Sequence, residues 1–247
     1  MMKYIFSTCL VLFSIIVFAQ EEERKMVPYM TELYLDVPIV TPGEMNAPPS
    51  DAIVLFDGKD LSQWKKAGKD SLAGWKIENG ELVVAPKRGG IETKKSFGDV
   101  QLHIEWLSPI MKGETGQGYG NSGIFLMGKY ELQVLNSNGN ETYSNGQAGS
   151  IYKQYAPLVN ASKPAGTWQK YDVIFTAPKF SDKGTLISPA RITVLHNGVL
   201  IQNNVALMGG TTFTGLPKYI KDDGKLPLML QDHGDPVRYR NIWIREL

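Results

Sequence analysis

A single cysteine, Cys9, occurs in 247 residues, and it lies in an apolar stretch at the very start of the chain. One thiol cannot form an internal disulfide, a cysteine zinc site or a CxxC redox pair. Excess charge is equally scarce: 26 Lys and Arg against 25 Asp and Glu leave a formal net charge of +1. That balance excludes the basic footprint of a nucleic-acid binder. Histidine occurs three times, at His103, His196 and His233, with no His-x-His or His-Glu-x-x-His spacing. No phosphate loop, no nucleophilic serine motif and no window with a helical apolar stripe is found. Hydrophobic residues still make up 43% of the chain, enough for a sizeable core and too much for disorder.

The first segment, "MMKYIFSTCLVLFSIIVFAQ", has Lys3 as a basic flank and an apolar run broken by Ser7, Thr8 and Ser14. It falls short of the roughly 20 apolar residues of a membrane span. Val17 and Ala19 before Gln20 suit a signal-peptidase site, so residues 1–19 read as a cleaved signal peptide rather than an anchor. The mature protein is then exported, periplasmic or secreted, without a membrane span. Residues 20–50 contain a charge run and the proline-rich "VPIVTPGEMNAPPS", and read as an extended leader. Tyr29, Leu33, Tyr34 and Leu35 are its apolar residues with the means to pack down. Residues 51–247 suit one domain.

Within that domain period-two patterns dominate: "ELVVA", "DVQLHIEWL", "SGIFLM", "KYELQVL", "QKYDVIFTA", "ARITVLH", "VLIQNN", "PLMLQDH" and "YRNIWIREL". Gly- and Asn-rich turns separate them. Asn197-Gly198 is the clearest, since a type I′ hairpin turn needs two residues that accept positive φ. Many short strands with such turns predict an all-β sandwich or jelly roll of antiparallel sheets. Alternation also assigns faces. Gln101, His103 and Glu105 oppose Leu102, Ile104 and Trp106; Glu131 and Gln133 oppose Tyr130, Leu132 and Val134; Gln231 and His233 oppose Leu228 and Leu230. Glu, Gln and His on one concave face would form a cleft for sugar hydroxyls.

Seven motifs then follow one another in order: "LFDGKDLSQW", "GWKIENGELV", "GDVQLHIEW", "GNSGIFLMGKYELQVLNS", "GSIYKQYAPLVNASKPAGTWQKYDVIFTAP", "ARITVLHNGVLIQNN" and "PLMLQDHGDPVRYRNIWIREL". From Ile53 to Leu247 the chain resembles the bacterial 3-keto-disaccharide hydrolase domain family. The resemblance implies a concanavalin-like, laminin-G-like jelly roll and action on glycosides oxidised at C3. A 3-keto group acidifies the C2 proton, so a base, an acid near the glycosidic oxygen and a partner for the enolate would suffice. The paired-carboxylate route of ordinary glycosidases is not required.

His233 is the first candidate for acid/base work, because imidazole moves protons in either direction near neutrality. His103 reads as a solvent-facing strand residue and His196 as a surface residue beside a hairpin tip. Glu131 and Glu105 are the candidate carboxylates; a salt bridge to Arg238 or Arg240 is the competing structural reading for both. Asn121, Gln133 and Gln231 offer neutral donors and acceptors for hydroxyls, and Arg238 and Arg240 are candidates for the enolate or a hydroxyl. Trp64, Trp75, Trp168 and Trp243 read as core. No metal site and no cofactor is expected, although Asn136 to Asn140 in "NSNGN" could hold a structural calcium ion. A lectin-like module using the same cleft without catalysis is the alternative function, since jelly rolls serve both roles.

Overall fold

The structure is a computed structural model and describes Tyr29 and residues 31–247. The expected signal segment, 1–19, lies outside the described residues. The chain divides into a unit ending at Ile39 and a second unit, Val40–Leu247, that holds every strand among the described residues. Among the described residues, no helix is long and apolar enough to cross a membrane.

Fifteen strands follow in chain order: β1 (Ile53–Phe56), β2 (Trp64–Lys66), β3 (Lys76–Glu78), β4 (Glu81–Val83), β5 (Ile91–Phe97), β6 (Val100–Leu107), β7 (Ser122–Leu126), β8 (Tyr130–Val134), β9 (Gln169–Thr176), β10 (Lys179–Phe180), β11 (Leu186–Ser188), β12 (Arg191–His196), β13 (Val199–Ala206), β14 (Leu226–Leu230) and β15 (Arg238–Glu246). A larger sheet runs β13-β12-β9-β6-β15-β4-β3, with β1 also paired to β15. A smaller sheet runs β2-β5-β14-β7-β8, and every pairing in both is antiparallel. The two sheets form the expected sandwich.

Alternation builds the core. Leu102, Ile104 and Trp106 of β6 and Tyr171, Val173 and Phe175 of β9 face Leu132 and Val134 of β8 and Leu228 and Leu230 of β14, all buried. Each such side chain contributes about 1.5–3 kcal/mol relative to exposure. Two tyrosines cross the core and satisfy their hydroxyls on the far sheet. Tyr171 donates to the Gln133 carbonyl at 2.9 Å. Tyr239 of β15 donates to Ser122 Oγ at 2.7 Å, which donates to the Gln231 carbonyl at 2.6 Å. The larger sheet therefore fixes the backbone of β8 and the end of β14 beneath the smaller sheet's outer face.

Asn197 and Gly198 adopt φ of 53° and 84°, as the hairpin between β12 and β13 demands. Asn197 also uses its side chain, donating to the Ala161 carbonyl and Gln169 Oε1. In β15 a bulge interrupts alternation: Arg240 pairs with Glu105, the next pair is Trp243 with His103, and Asn241 takes φ of 46°. One extra residue lets Arg240 and Asn241 both bond Glu105.

The leader is not uniformly extended. Thr41 and Ser50 close a loop: Ser50 N donates to the Thr41 carbonyl, and Thr41 N donates to Ser50 Oγ. At its tip Asn46 lies against the larger sheet. Its carbonyl accepts from Asn241 Nδ2 at 3.0 Å and Trp243 Nε1 at 3.1 Å, and its side chain accepts from Lys170. Tyr29, Leu33, Tyr34 and Leu35, the apolar residues with the means to pack down, are exposed.

Candidate active site

The outer face of the smaller sheet carries a cavity of about 690 Å³. On β7 and just before it, Asn121, Gly123 and Phe125 point to this side; on β8, Glu131 and Gln133 do so. Gln231 and His233, beyond the end of β14, complete the floor and rim. Tyr143, Tyr152, Thr211 and Phe213 arrive from two loops.

Glu131 lies at the centre and is only 5% exposed. It sits directly across from Phe125, with Gly123 as the diagonal neighbour. A Cβ at Gly123 would meet Glu131 Oε1 at 2.7 Å, so the missing side chain is the space the carboxyl occupies. No described residue donates a hydrogen bond to that carboxyl. Burial alone pushes its pKa from 4.5 up to about 8, which keeps it protonated at neutral pH. Its neighbour Tyr152 has its phenol pKa raised by burial, by the Tyr143 hydroxyl 2.6 Å away and by the Glu131 charge.

The amides form a second group. Gln133 Nε2 donates to Asn121 Oδ1 at 3.1 Å, and Asn121 Nδ2 donates to the Gln117 carbonyl at 2.8 Å. Asp235 accepts from Asn121 N at 2.7 Å and anchors that turn. Gln133 Oε1 and Gln231 Oε1 are buried without a partner among the described residues. Buried amide oxygens of this kind cost stability unless something arrives to bond them. His233 is exposed at the rim.

The sequence reading grouped Glu105, Arg238 and Arg240 with these residues as candidates for one site. The structure separates them. Glu105 belongs to β6, and Arg238 and Arg240 to β15, all in the larger sheet, with the core between them and the cleft. Arg240 Nε donates to Glu105 Oε2 at 2.7 Å and stacks over Trp168 at 4.1 Å; Arg238 pairs with Glu81 at 2.7 Å and Glu78 at 3.1 Å. His103, read as solvent-facing, is 1% exposed, stacked on Trp243 and 2.6 Å from Asp172. Burial opposes its charge, but Asp172 and Glu105 outweigh burial and raise its pKa. Glu105 moves the other way. Hydrogen bonding to His103, then to Asn241 and Arg240, outweighs desolvation and lowers it to about 2.

His196 is not a surface residue. It is 1% exposed, packed on Trp106 and Tyr171, and burial together with nearby Lys163 lowers its pKa to about 4. Trp168, read as core, is only half-buried. In the Asn136–Asn140 turn, Asn140 accepts from Gly116 N and donates to the carbonyls of Gly116 and Asn136. The Asn140 amide thus closes the turn on itself. Among the described residues, no three His, Cys, Asp or Glu side chains group as metal ligands.

The profile of the 3-keto-alpha-glucoside-1,2-lyase-like domain family matches residues 51–245. This chain belongs to that family. A 3-keto-disaccharide hydrolase of Bacteroides thetaiotaomicron is 25% identical over 252 residues, covering 81% of this chain and 80% of the relative. A crystal structure of a provisionally assigned glycosyl hydrolase from Parabacteroides distasonis superposes with a TM-score of 0.85 at 47% identity, covering 90% of this chain and 97% of that one. A second such structure from the same organism has a TM-score of 0.58 at 21% identity, covers 80% of this chain and 94% of that one, and supports the fold alone.

In this lyase-like domain the sequence reading missed Gln117, Phe125, Tyr143, Tyr152, Thr211 and Phe213. Phe125 was within reach, because the alternation that selects Gly123 in "SGIFLM" also selects Phe125. The others sit in loops, where no period assigns a face.

Proposed function

We propose that this chain cleaves glycosides carrying a ketone at C3, by eliminating the C1 substituent and then adding water. The family match and the relatives support a carbohydrate-active enzyme, and the observation that carries the finer reading is Glu131. A carboxyl held protonated at neutral pH by burial is an acid ready for a departing oxygen. A lectin has no use for that expensive group.

In this scheme His233 removes the C2 proton, which the C3 ketone acidifies. The electron pair moves onto the C3 oxygen, for which the Gln231 Nε2 amide group is the donor. The enolate then collapses, the C1–O bond breaks, and Glu131 protonates the departing oxygen. A C1–C2 double bond conjugated to the ketone remains. Water adds at C1 and gives a proton to the Glu131 carboxylate, while His233, exposed and exchanging its proton with solvent, protonates C2. The net result is hydrolysis, achieved with side chains and water and with no cofactor. Asn121 and Gln133 hold the remaining hydroxyls. We also propose that the enzyme works outside the cytoplasm after removal of residues 1–19, as the start of the sequence implies.

The test is incubation of the purified protein with a 3-keto-disaccharide and with its unoxidised parent. Release of the second sugar from the oxidised compound alone is expected, and equal release from both would refute the ketone requirement. Solvent deuterium at C2 of the product is expected from elimination. Its absence would show direct displacement at C1 instead.

A further inference from the structure

The cleft does not end at Glu131. Phe125 and Thr211 line it and also line a second cavity of about 540 Å³, so the two compartments share a wall on the same sheet face. Along β8 the order is Gln133, then Glu131, then Lys129 at the turn before the strand. Gln133, Asn121 and Gln231 surround the first compartment. Leu216, Ile220 and Phe125 line the second, together with Thr211, Thr212 and Thr214. Glu131 lines the first compartment and neighbours both shared residues, directly across from Phe125 and bonded through its backbone N to Thr211 Oγ1.

The apolar side chains there are left in solvent: Leu216 is 90% exposed and Ile220 64%, and Phe213, which lines the first compartment, is 71% exposed. Apolar groups clustered at a cleft mark a surface meant to be covered. The loop that carries them is built rather than loose. Thr211 N donates to the Lys129 carbonyl at 2.8 Å, Thr211 Oγ1 accepts from Glu131 N at 3.0 Å, and Gly210 N donates to the Lys218 carbonyl at 3.1 Å. Lys153 donates to the Phe213 carbonyl at 2.7 Å and covers its ring at 3.9 Å. The charge of Lys129 is met by Asp222 at 2.7 Å, leaving Lys218 exposed at the rim.

We propose that this second compartment receives the C1 substituent, and that it favours glycosides with a long alkyl aglycone over those with a short one. The proposal rests on the 3-keto-glycoside reading, which places the acid Glu131 at the glycosidic oxygen. The keto-sugar then fills the amide-lined side, and the substituent crosses the Phe125 and Thr211 wall.

The experiment uses methyl, butyl and hexyl glucosides, whose leaving oxygens are chemically alike. Binding of the unoxidised compounds is followed by calorimetry, and turnover of their 3-keto forms by kcat/KM. Burying methylenes predicts a gain of about two- to four-fold per CH₂, hence a hexyl-to-methyl ratio of about 30 or more. The double variant Leu216→Asn/Ile220→Asn, at two exposed positions, is expected to bring that ratio close to one. A flat wild-type series in binding overturns the proposal, and so does a steep series that survives the double variant. A steep, variant-sensitive binding series without turnover of any 3-keto compound supports the compartment and sinks the 3-keto chemistry instead.

Discussion

Replacing Glu131 with Gln keeps the shape of the side chain and removes its titration. The carboxyl is 5% exposed and has its pKa raised from 4.5 to about 8. A group whose folded pKa lies above its unfolded value supports the fold fully below the unfolded pKa. That support is lost as pH rises through the folded pKa. Between pH 4.5 and about 8 the wild type therefore loses stability to this one residue, by up to about 5 kcal/mol from the span between the two values. For a chain of this size 1 kcal/mol corresponds to about 2–4 °C in Tm. Thermal melts at pH 5 and pH 9 should then show Glu131→Gln close to wild type at the lower pH and at least about 5 °C more stable at the higher one. Turnover should fall about 10²-fold or more in the same variant, and the wild-type kcat should decline above about pH 8 as the acid is lost. Parallel Tm profiles for the two proteins would mean that Glu131 is already ionised at neutrality, and the acid role would fail with them.

His233→Ala should abolish turnover of a 3-keto-glycoside while leaving Tm within about 2 °C, because the residue is exposed and makes no hydrogen bond or ion pair among the described residues; survival of activity within a few-fold would remove it from the mechanism. Glu105→Gln should behave oppositely. Its pKa, lowered to about 2, means stability that is present above pH 4.5 and lost as pH falls towards 2. The variant should lose about 1–3 kcal/mol at pH 7, discounted for the half-exposed Arg240, with turnover within a few-fold of wild type; a large loss of turnover at unchanged stability would contradict its placement on the far sheet. Intact-mass analysis of protein exported by the native host should show a chain beginning near Gln20, and a retained Met1 would refute signal cleavage.

Nine strands, the hairpin at Asn197-Gly198 and the sandwich class follow from local pattern, because side-chain alternation and positive-φ preferences are properties of neighbouring residues. β5 escaped notice because "IETKKSF" puts charges where a strand usually shows apolar residues, its Thr93 and Lys95 being paired within the fold rather than patterned. The candidate site divides along the same line. Alternation told that Glu131 and Gln133 share a side, and likewise His103 and Glu105. It could not tell that β8 joins the smaller sheet and β6 the larger, since strand partners are chosen by pairing between residues far apart in the chain. That choice turns two carboxylates with the same local pattern into opposites. Glu105 meets His103, Asn241 and Arg240 and is held ionised; Glu131 meets Gly123, Phe125 and Tyr152 and is held protonated. Chemistry of this kind depends on which charges and dipoles lie within a few ångströms, and only the closed sandwich brings them there.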